Sequence, residues 1–259
     1  MTQAPLLSVE NISKSYPGRG KTRLPVINNV SLELGQGEFI SVIGPSGSGK
    51  STLFQVLAGI LHADHGSVTY HGEERRGPFS AYMPQKDLLF PWLTAEDNAS
   101  LGLTLGGMPK RAARAKVGEL LGTFRLDGYA KSYPFELSGG MRQRVALLRT
   151  MVMDRPILLL DEPFGALDYL TRTELQLWLS NVCSDLGLST ILITHDVPEA
   201  LLLSDRIYVL SDKPADVRMV LELPEPRPRS LDYVETETFT KNEKILLNEL
   251  TNSVLAAEH

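Results

Sequence analysis

The sequence predicts an α/β protein built on a largely parallel sheet, with a helical segment inserted into it. Two observations carry this prediction. Short apolar runs of strand length alternate with helical patterns between glycines and prolines, and a glycine-rich turn joins one such run to a helix at Gly44 to Thr52. With 42% hydrophobic and 22% charged residues over 259 positions, the composition excludes a disordered or fibrous chain.

Three runs predict strands: Glu38–Ile43, Pro156–Leu160 and Ser189–Thr194. The last two are apolar runs of the kind expected for strands that are covered on both faces. The last two are expected in the centre of the sheet. The first leads into the glycine-rich turn, after which a helix is predicted from Lys50 to about Gly59.

Both ends of the chain add strands or helices to this core. The segments Leu7–Ser13 and Val26–Leu34 are spaced like antiparallel partners. A half-buried late strand is predicted from alternating apolar residues, Val217, Met219, Leu221 and Leu223. A stiff connector with Pro224, Pro226 and Pro228 follows, and a short amphipathic helix is predicted from the spacing of Leu246, Leu250 and Val254.

The helical insertion is predicted between about Phe90 and Met153, where no convincing strand occurs and helical stretches span 109–124 and 139–153. A further helix is expected between Thr171 and Gly187. Its predicted core stripe consists of Leu175, Leu179, Val182 and Leu186. Cys183, the only cysteine, is interpreted as a small core residue of this helix.

The formal net charge of −5 argues against a general nucleic-acid-binding surface. The N-terminal segment lacks the features of a signal peptide, and no uncharged apolar run reaches the roughly 18 residues of a membrane span. We therefore expect a cytosolic chain, unless another protein holds it at a membrane.

A phosphate-binding loop is the strongest functional prediction. The pattern Gly-x-x-x-x-Gly-Lys-Ser is formed by Gly44, Pro45, Ser46, Gly47, Ser48, Gly49, Lys50 and Ser51, and Thr52 follows it. The glycines allow backbone N–H groups to surround an anion, and the helix N-terminus adds its positive dipole end. Lys50 is predicted to reach the terminal phosphates, and the Ser51 hydroxyl to ligate magnesium.

Adjacent carboxylates end one of the predicted central strands. Asp161 and Glu162 point to opposite sides, so they are expected to have different roles. Asp161 is predicted to be the magnesium partner, through water, and Glu162 to take a proton from the water that attacks the γ-phosphate. Taken without the phosphate loop, the same pair would be read as a helix N-cap.

A second anion-binding pattern, Ser138-Gly139-Gly140, opens a predicted helix. Within one chain it duplicates the phosphate loop. It makes physical sense if it binds the nucleotide that is held by another subunit.

These motifs resemble those of ABC transporter ATP-binding subunits over about Leu7 to Leu223. The resemblance implies a P-loop NTPase fold with a RecA-like core, an N-terminal antiparallel β subdomain and a helical subdomain at about 90–153. Residues 1–223 would form the nucleotide-binding domain, and 224–259 a connector and C-terminal helix. It also implies ATP and Mg²⁺ as cofactors and a homodimer that sandwiches two ATP molecules head to tail.

Further roles follow from the resemblance alone. Tyr16 would stack on adenine, Gln85 would join magnesium and the attacking water to the helical subdomain, and His195 would contact the γ-phosphate. The segment Gly165-Ala166-Leu167-Asp168 would cross the dimer interface. Individually, Tyr16 fits a turn aromatic, Gln85 a surface loop residue and His195 a core or capping histidine. The order of all these elements along one chain favours the family roles.

The residues in these motifs resemble those of the bacterial importer branch that includes nitrate, sulfonate, taurine and thiamine-precursor systems. Met141 stands where many family members carry a glutamine. The implied partners are integral membrane permease subunits and, indirectly, a periplasmic or lipid-anchored solute-binding protein, with no nucleic acid. The implied location is peripheral, at the cytoplasmic face of the inner membrane. The solute is not encoded in this chain.

An apolar segment, Phe90-Pro91-Trp92, follows Gln85. It fits a docking surface for a permease helix, or burial within the helical subdomain. Two other classes share some motifs: a P-loop kinase, which has no use for the Ser138 segment, and a soluble ABC-type ATPase acting on ribosomes or DNA.

Overall fold

A computed structural model describes residues 4–18, 20, 22–74, 79–165 and 167–256. The strands of these residues are, in chain order, β1 (Leu7–Pro17), β2 (Arg23–Leu34), β3 (Phe39–Ile43), β4 (His65–Tyr70), β5 (Glu73–Glu74), β6 (Ser80–Met83), β7 (Ile157–Asp161), β8 (Ser189–Ile193), β9 (Arg206–Leu210) and β10 (Val217–Glu222). The helices are α1 (Lys50–Leu57), α2 (Ala95–Leu105), α3 (Lys110–Leu120), α4 (Gly139–Met151), α5 (Tyr169–Asp185), α6 (Val197–Leu203) and α7 (Glu237–Ala256).

Two sheets organise these elements. One is a four-stranded antiparallel sheet with the order β2-β1-β4-β5, and the other has six strands in the order β10-β9-β3-β8-β7-β6. The six-stranded sheet is parallel except for β10, which pairs antiparallel with β9. Because the carboxyl ends of parallel strands meet at one edge, the loops after β3, β6, β7 and β8 converge there.

The central strands explain why this sheet can bury both faces. Every residue of β3, β7 and β8 is buried, and all three strands are dominated by Ile, Leu, Val and Phe. Helices α2 to α5 cover one face, where Phe39, Leu160 and Leu175 share a core cluster. The other face packs on α1 and the antiparallel sheet around Ile40 and Phe54.

Side-chain caps fix where four of the helices begin. Thr94, Ser138, Asp168 and Asp196 each accept a hydrogen bond from the backbone N–H three residues later. Three of these caps, Ser138, Asp168 and Asp196, lie in or next to the predicted functional motifs. The local sequence therefore determines where α4, α5 and α6 begin.

The predicted strands and helices are largely confirmed. Strands β3, β7 and β8, the antiparallel pairing of β1 with β2 and the alternating burial of β10 occur as expected. Helix α1 ends at Leu57, two residues before the expected end at Gly59. The segment between β6 and β7, all of which the structure describes, contains helices and no strand. We propose that residues 90–153 form the helical subdomain.

Two details of the predicted helices are wrong. Leu186 was expected in the core stripe of α5, but it lies at the C-cap with 52% of its surface exposed, whereas Cys183 is buried as expected. The C-terminal helix is not short, because α7 runs for 20 residues. On α7, Leu246 and Leu250 pack against α6 and β9 residues in a third core cluster, and the side chain of Val254 lies outside the described part.

None of the helices in the described ranges is long and apolar enough to cross a membrane. The division into 1–223 and 224–259 stays a proposal.

Candidate active site

The phosphate loop connects β3 to α1, as its sequence predicts. Gly49 has a φ of 115°, and a Cβ atom there would lie 2.9 Å from both the carbonyl oxygen and the Cγ1 atom of Val26. Only glycine tolerates both this positive φ and the absence of room for a Cβ atom. The loop therefore packs tightly against β2 at the position from which α1 begins.

Lys50 lies inside this loop with only 6% of its surface exposed. Its Nζ atom donates hydrogen bonds of 2.8 Å to the carbonyl oxygens of Gly44 and Pro45. Burial lowers the pKa of Lys50, while the Glu162 and Asp161 carboxylates act in the opposite direction. A buried ammonium without a carboxylate bonded to it gains strongly from a bound anion.

The loop opens onto a cavity of about 280 Å³. Its lining consists of Val26, Ser46, Gly47, Gly49, Lys50, Ser51, Thr52, Gln85, Glu162 and Lys213. The buried hydroxyl of Ser48, a residue of this loop, has no hydrogen-bond partner among the described residues. The cavity therefore collects backbone, hydroxyl, amide, carboxylate and ammonium groups at one edge of the sheet.

Asp161, at the end of β7, forms a cluster with two hydroxyls. Its carboxylate accepts a 3.4 Å hydrogen bond from Ser51 Oγ and a 3.2 Å bond from the Tyr82 hydroxyl. Burial raises the pKa of Asp161, although these hydrogen bonds act in the opposite direction. A buried carboxylate beside a serine hydroxyl is an oxygen donor set that fits Mg²⁺.

Glu162 lies between Gln85 and His195. The Gln85 side-chain amide donates a 2.7 Å hydrogen bond to one carboxylate oxygen, and His195 Nδ1 lies 3.3 Å from the other. Glu162 adopts a left-handed φ of 45°, and its N–H donates to the carbonyl of Ile193 at the end of β8. The chain thus turns sharply after β7 and directs this side chain into the cavity.

The loop after Gln85 is tied to α4. Arg149 donates to the carbonyl oxygens of Asp87 and Leu88, at 2.5 and 2.9 Å, and Arg142 lies 3.6 Å from the Asp87 carboxylate. Since α4 begins at Ser138, the same helix carries the Ser-Gly-Gly pattern and holds the Gln85 loop. These contacts link the two motifs mechanically.

Ser138, Gly139 and Gly140 do not line the cavity. Ser138 is exposed, and its hydroxyl accepts a 3.2 Å hydrogen bond from the N–H of Met141 as the N-cap of α4. A Cβ atom on Gly140 would lie 2.7 Å from the Thr171 Cγ2 atom, so this glycine lets α4 approach α5. Within one chain, the Ser-Gly-Gly pattern therefore does not share the cavity of the phosphate loop.

Tyr16 and Asp168 also lie outside the cavity lining, as do Asp161 and His195, which contact the lining residues Ser51 and Glu162. Tyr16, half-buried at the end of β1, pairs with Leu24 across the antiparallel sheet. Asp168 caps α5 through a 3.1 Å hydrogen bond from the Thr171 N–H. Ala166, which was expected at a dimer interface, lies outside the described residues.

Three contributors to this region were missed in the sequence: Tyr82, Lys213 and Glu199. Tyr82 reaches Asp161 because β6 pairs with β7. Glu199 is buried and lines a small cavity together with Glu162 and His195. It accepts a 3.1 Å hydrogen bond from Gln176, and burial raises its pKa to about 7. The sequence offers no signal for Lys213, and neither β6, which carries Tyr82, nor α6, which carries Glu199, was predicted from it.

The segment after Gln85 is exposed, which decides between its two predicted environments. Phe90 is 39% and Trp92 is 69% exposed, and their ring centroids are 5.1 Å apart. Phe90 also borders a largely apolar groove of about 520 Å³ with Leu88, Leu101, Leu105 and Met153. The structure therefore presents an unburied apolar surface next to the Gln85 loop.

Comparison with known proteins identifies the family. Residues 27–165, more than half of the chain, match the model of the ABC transporter family. The aliphatic sulfonates import ATP-binding protein SsuB of Bacillus cereus is 42% identical over 226 residues, covering 86% of this chain and 88% of that protein. The bicarbonate transport ATP-binding protein CmpC of Synechococcus elongatus is 43% identical over 239 residues, or 90% of this chain and 36% of that longer protein.

The fold is similar to that of solved ATP-binding cassettes. A dimeric post-hydrolysis state of the ATP-binding cassette MJ0796, bound to ADP and Pi, has a TM-score of 0.73 and 29% identity, and the match covers 85% of this chain and all of that one. These matches do not favour a P-loop kinase or an ATPase of ribosomes or DNA. Together with the phosphate loop and the carboxylates that face it, they show that the chain belongs to the ABC transporter family, as an ATP-binding and ATP-hydrolysing cassette of its importers.

Proposed function

We propose that this cassette couples ATP-driven closure of a homodimer to solute uptake through a separate permease, at the cytoplasmic face of the inner membrane. One observation carries the proposal. Lys50, Gln85 and Glu162 line a single cavity, whereas Ser138 is exposed outside it. Such a chain holds one half of a nucleotide site and presents the other half to a second copy.

The residues that line the cavity, and His195 beside Glu162, divide the chemistry of hydrolysis between them. Lys50 and the backbone N–H groups of the loop bind the terminal phosphates. Glu162 accepts the proton of the attacking water, a contribution of about 10² to 10⁴ in rate. His195, beside Glu162, contacts the γ-phosphate, and Gln85 positions the water from the opposite side of the same carboxylate.

Magnesium fits the cluster around Asp161. Ser51 and Asp161 would hold it, the latter through water, together with Gln85. Bound there, Mg²⁺ supplies neutralisation of the charge on the β- and γ-phosphates. The Tyr82 hydroxyl orients the Asp161 carboxylate in the same cluster.

The dimer completes the site. Ser138, Gly139 and Gly140 bind the γ-phosphate of the ATP held by the partner subunit, where the N-terminus of α4 supplies N–H groups and a positive dipole end. Tyr16 stacks on the adenine, and the segment 165–168 crosses the interface. The dimeric state of the MJ0796 cassette supports this arrangement.

The permease docks on the groove beside Phe90 and Trp92. Two observations support this: the groove is apolar and exposed, and Arg149 ties its edge to the helix that starts at Ser138. Closure of the dimer would then reach the membrane subunit through α4 and the Gln85 loop. A periplasmic or lipid-anchored solute-binding protein acts indirectly, through the permease.

The test is to isolate the membrane complex with the chain tagged, and to measure ATP turnover with candidate solutes. Aliphatic sulfonates and bicarbonate, the solutes of the two named relatives, are the first to test. The proposal expects copurifying permease subunits and turnover that rises with one solute and its binding protein. Trp92→Ala should release the permease and leave ATP binding intact, with Tyr169→Ala, another exposed aromatic, as the control. Copurification with ribosomes, or phosphoryl transfer to an acceptor, would contradict it.

A further inference from the structure

Lys213 brings a second ammonium group to the cavity onto which the phosphate loop opens, here called the phosphate cavity. It lies on the loop between β9 and β10 and lines the cavity together with Lys50, Ser46 and Gly47. No sequence motif includes it, and it is distant in the chain from the phosphate loop.

Hydrogen bonds to β2 fix the loop that carries Lys213. The Ala215 N–H donates to the carbonyl of Val26 at 2.9 Å, and the Asn28 N–H donates to the carbonyl of Ala215 at 2.8 Å. The loop is closed internally by a 2.9 Å bond from the Ser211 N–H to the carbonyl of Asp216. The position of Lys213 is therefore set by a folded turn.

The same strand supports the phosphate loop. The Val26 carbonyl that receives the Ala215 N–H also lies 2.9 Å from the place of a Cβ atom on Gly49. One stretch of β2 thus contacts both loops, which fixes Lys213 relative to the backbone N–H groups that would surround a phosphate.

The charge of Lys213 is available to a ligand. Among the residues that the structure describes, no carboxylate forms an ion pair with its ammonium group. The neighbouring Asp212 carboxylate instead accepts a 2.7 Å hydrogen bond from the Lys213 backbone N–H. Two lysines and one carboxylate, Glu162, therefore line the cavity, which favours a polyanion.

We propose that Lys213 is a nucleotide-binding residue whose ammonium group pairs with phosphate oxygens of the bound nucleoside triphosphate, in addition to Lys50 and the phosphate loop. The inference rests on the proposed nucleotide site. Lysine suits this role as a flexible point charge that reaches a phosphate from an exposed loop. Because the side chain is exposed, its contribution is moderate and depends on salt.

The test is equilibrium dialysis of the full chain with radiolabelled ATP at two salt concentrations. Lys213→Ala should weaken ATP binding roughly 3- to 10-fold at low salt and less at high salt. Lys213→Glu should weaken it further, and Lys213→Arg should restore most of the affinity. Lys241→Ala, which removes one exposed charge on α7, is the matched control and should bind like the wild type.

Three results would overturn the inference. If the wild type binds ATP and Lys213→Ala binds it equally well at low salt, Lys213 has no role and the nucleotide site stands. If Lys241→Ala loses as much ATP affinity as Lys213→Ala, the loss is caused by the change in net charge and not by a contact of Lys213 with the nucleotide. Failure of the wild type to bind ATP would refute the proposed site and this inference together.

Discussion

The Gln85 side-chain amide donates a 2.7 Å hydrogen bond to the carboxylate of Glu162. This bond joins the loop after β6, which is tied to α4 by Arg149, to the residue after β7 that faces the phosphate cavity. A displacement of α4 would therefore be transmitted to the Glu162 carboxylate, which we propose as the proton acceptor. The Gln85 side-chain amide thus connects the helical insertion to the residue that we propose for ATP hydrolysis.

Replacing Gln85 should separate binding from turnover. Gln85→Ala removes the hydrogen bond and should reduce ATP turnover roughly 10-fold, while ATP affinity stays within about 3-fold. Gln85→Glu places a second carboxylate against Glu162 and should reduce turnover further, because two like charges at this distance repel. Steady-state ATPase assays and equilibrium binding check both. Wild-type turnover in Gln85→Glu would contradict the assignment.

Lys50→Ala should lose nucleotide affinity by roughly 100-fold, because a buried ammonium no longer faces the phosphates. The measurement is direct binding of ATP. Lys50→Met, which keeps the apolar stem, separates the charge from packing and should lose a similar amount. Tight ATP binding by both variants would mean that the phosphate loop is wrongly assigned.

Gly140→Ala should destabilise the fold through a contact with Thr171. The new methyl group would lie 2.7 Å from Thr171 Cγ2, an overlap worth about 1 to 3 kcal/mol, and the β-branched side chain has little freedom to move away. Thermal unfolding should show a lower Tm. The double variant Gly140→Ala, Thr171→Ser removes the offending methyl group and should recover the loss. A Gly140→Ala protein as stable as the wild type would refute this packing.

Glu199 should make stability depend on pH. Burial raises its pKa from 4.5 to about 7, and Asp196 acts in the same direction, while hydrogen bonds from Thr194 and Gln176 and the charge of Arg172 oppose it. The folded state therefore holds a proton that the unfolded state releases between these values, so stability falls as pH rises from about 4.5 to 7.

Glu199→Gln removes that titration. Its free energy of unfolding relative to the wild type should increase from pH 5 to pH 8, by up to about 3 kcal/mol. Denaturant unfolding at several pH values measures this difference. Glu119→Gln, at an exposed position of α3, should give a difference that does not change with pH. The same flat profile for Glu199→Gln would contradict the prediction.

The sequence predicted the parts of the site that local structure determines. The spacing from Gly44 to Ser51 encodes its own turn, and Asp161 and Glu162 end a strand whose apolar pattern is unambiguous. Since parallel strands end at one edge, their convergence with Lys50 follows from the fold class. Gln85 follows β6, a strand that was not predicted, and its role came from the family resemblance alone. The roles of these residues remain predictions.

Contacts that depend on pairing distant in sequence could not be predicted. Tyr82 reaches Asp161 only because β6 lies beside β7, and Lys213 reaches the cavity only because Ala215 pairs with β2. Helix α2 was missed because small and polar residues dilute its apolar pattern, and Leu186 was misplaced because it follows the last turn of α5.

The central claim is that two copies of this chain complete each nucleotide site. Glu162→Gln keeps the shape of the site and removes the proton acceptor, so this variant should lose most turnover and accumulate in its ATP-bound state. Adding Ser138→Arg to it should block the proposed contact with the partner's nucleotide, whereas Ser184→Arg, at an exposed position of α5, should not.

The decisive measurement is the mass of these variants by light scattering, with ATP and magnesium. The account predicts a dimer of twice 28.6 kDa for Glu162→Gln alone and with Ser184→Arg, and a monomer when Ser138→Arg is added. A monomeric Glu162→Gln protein, or a dimer that forms equally well with Ser138→Arg, would contradict it.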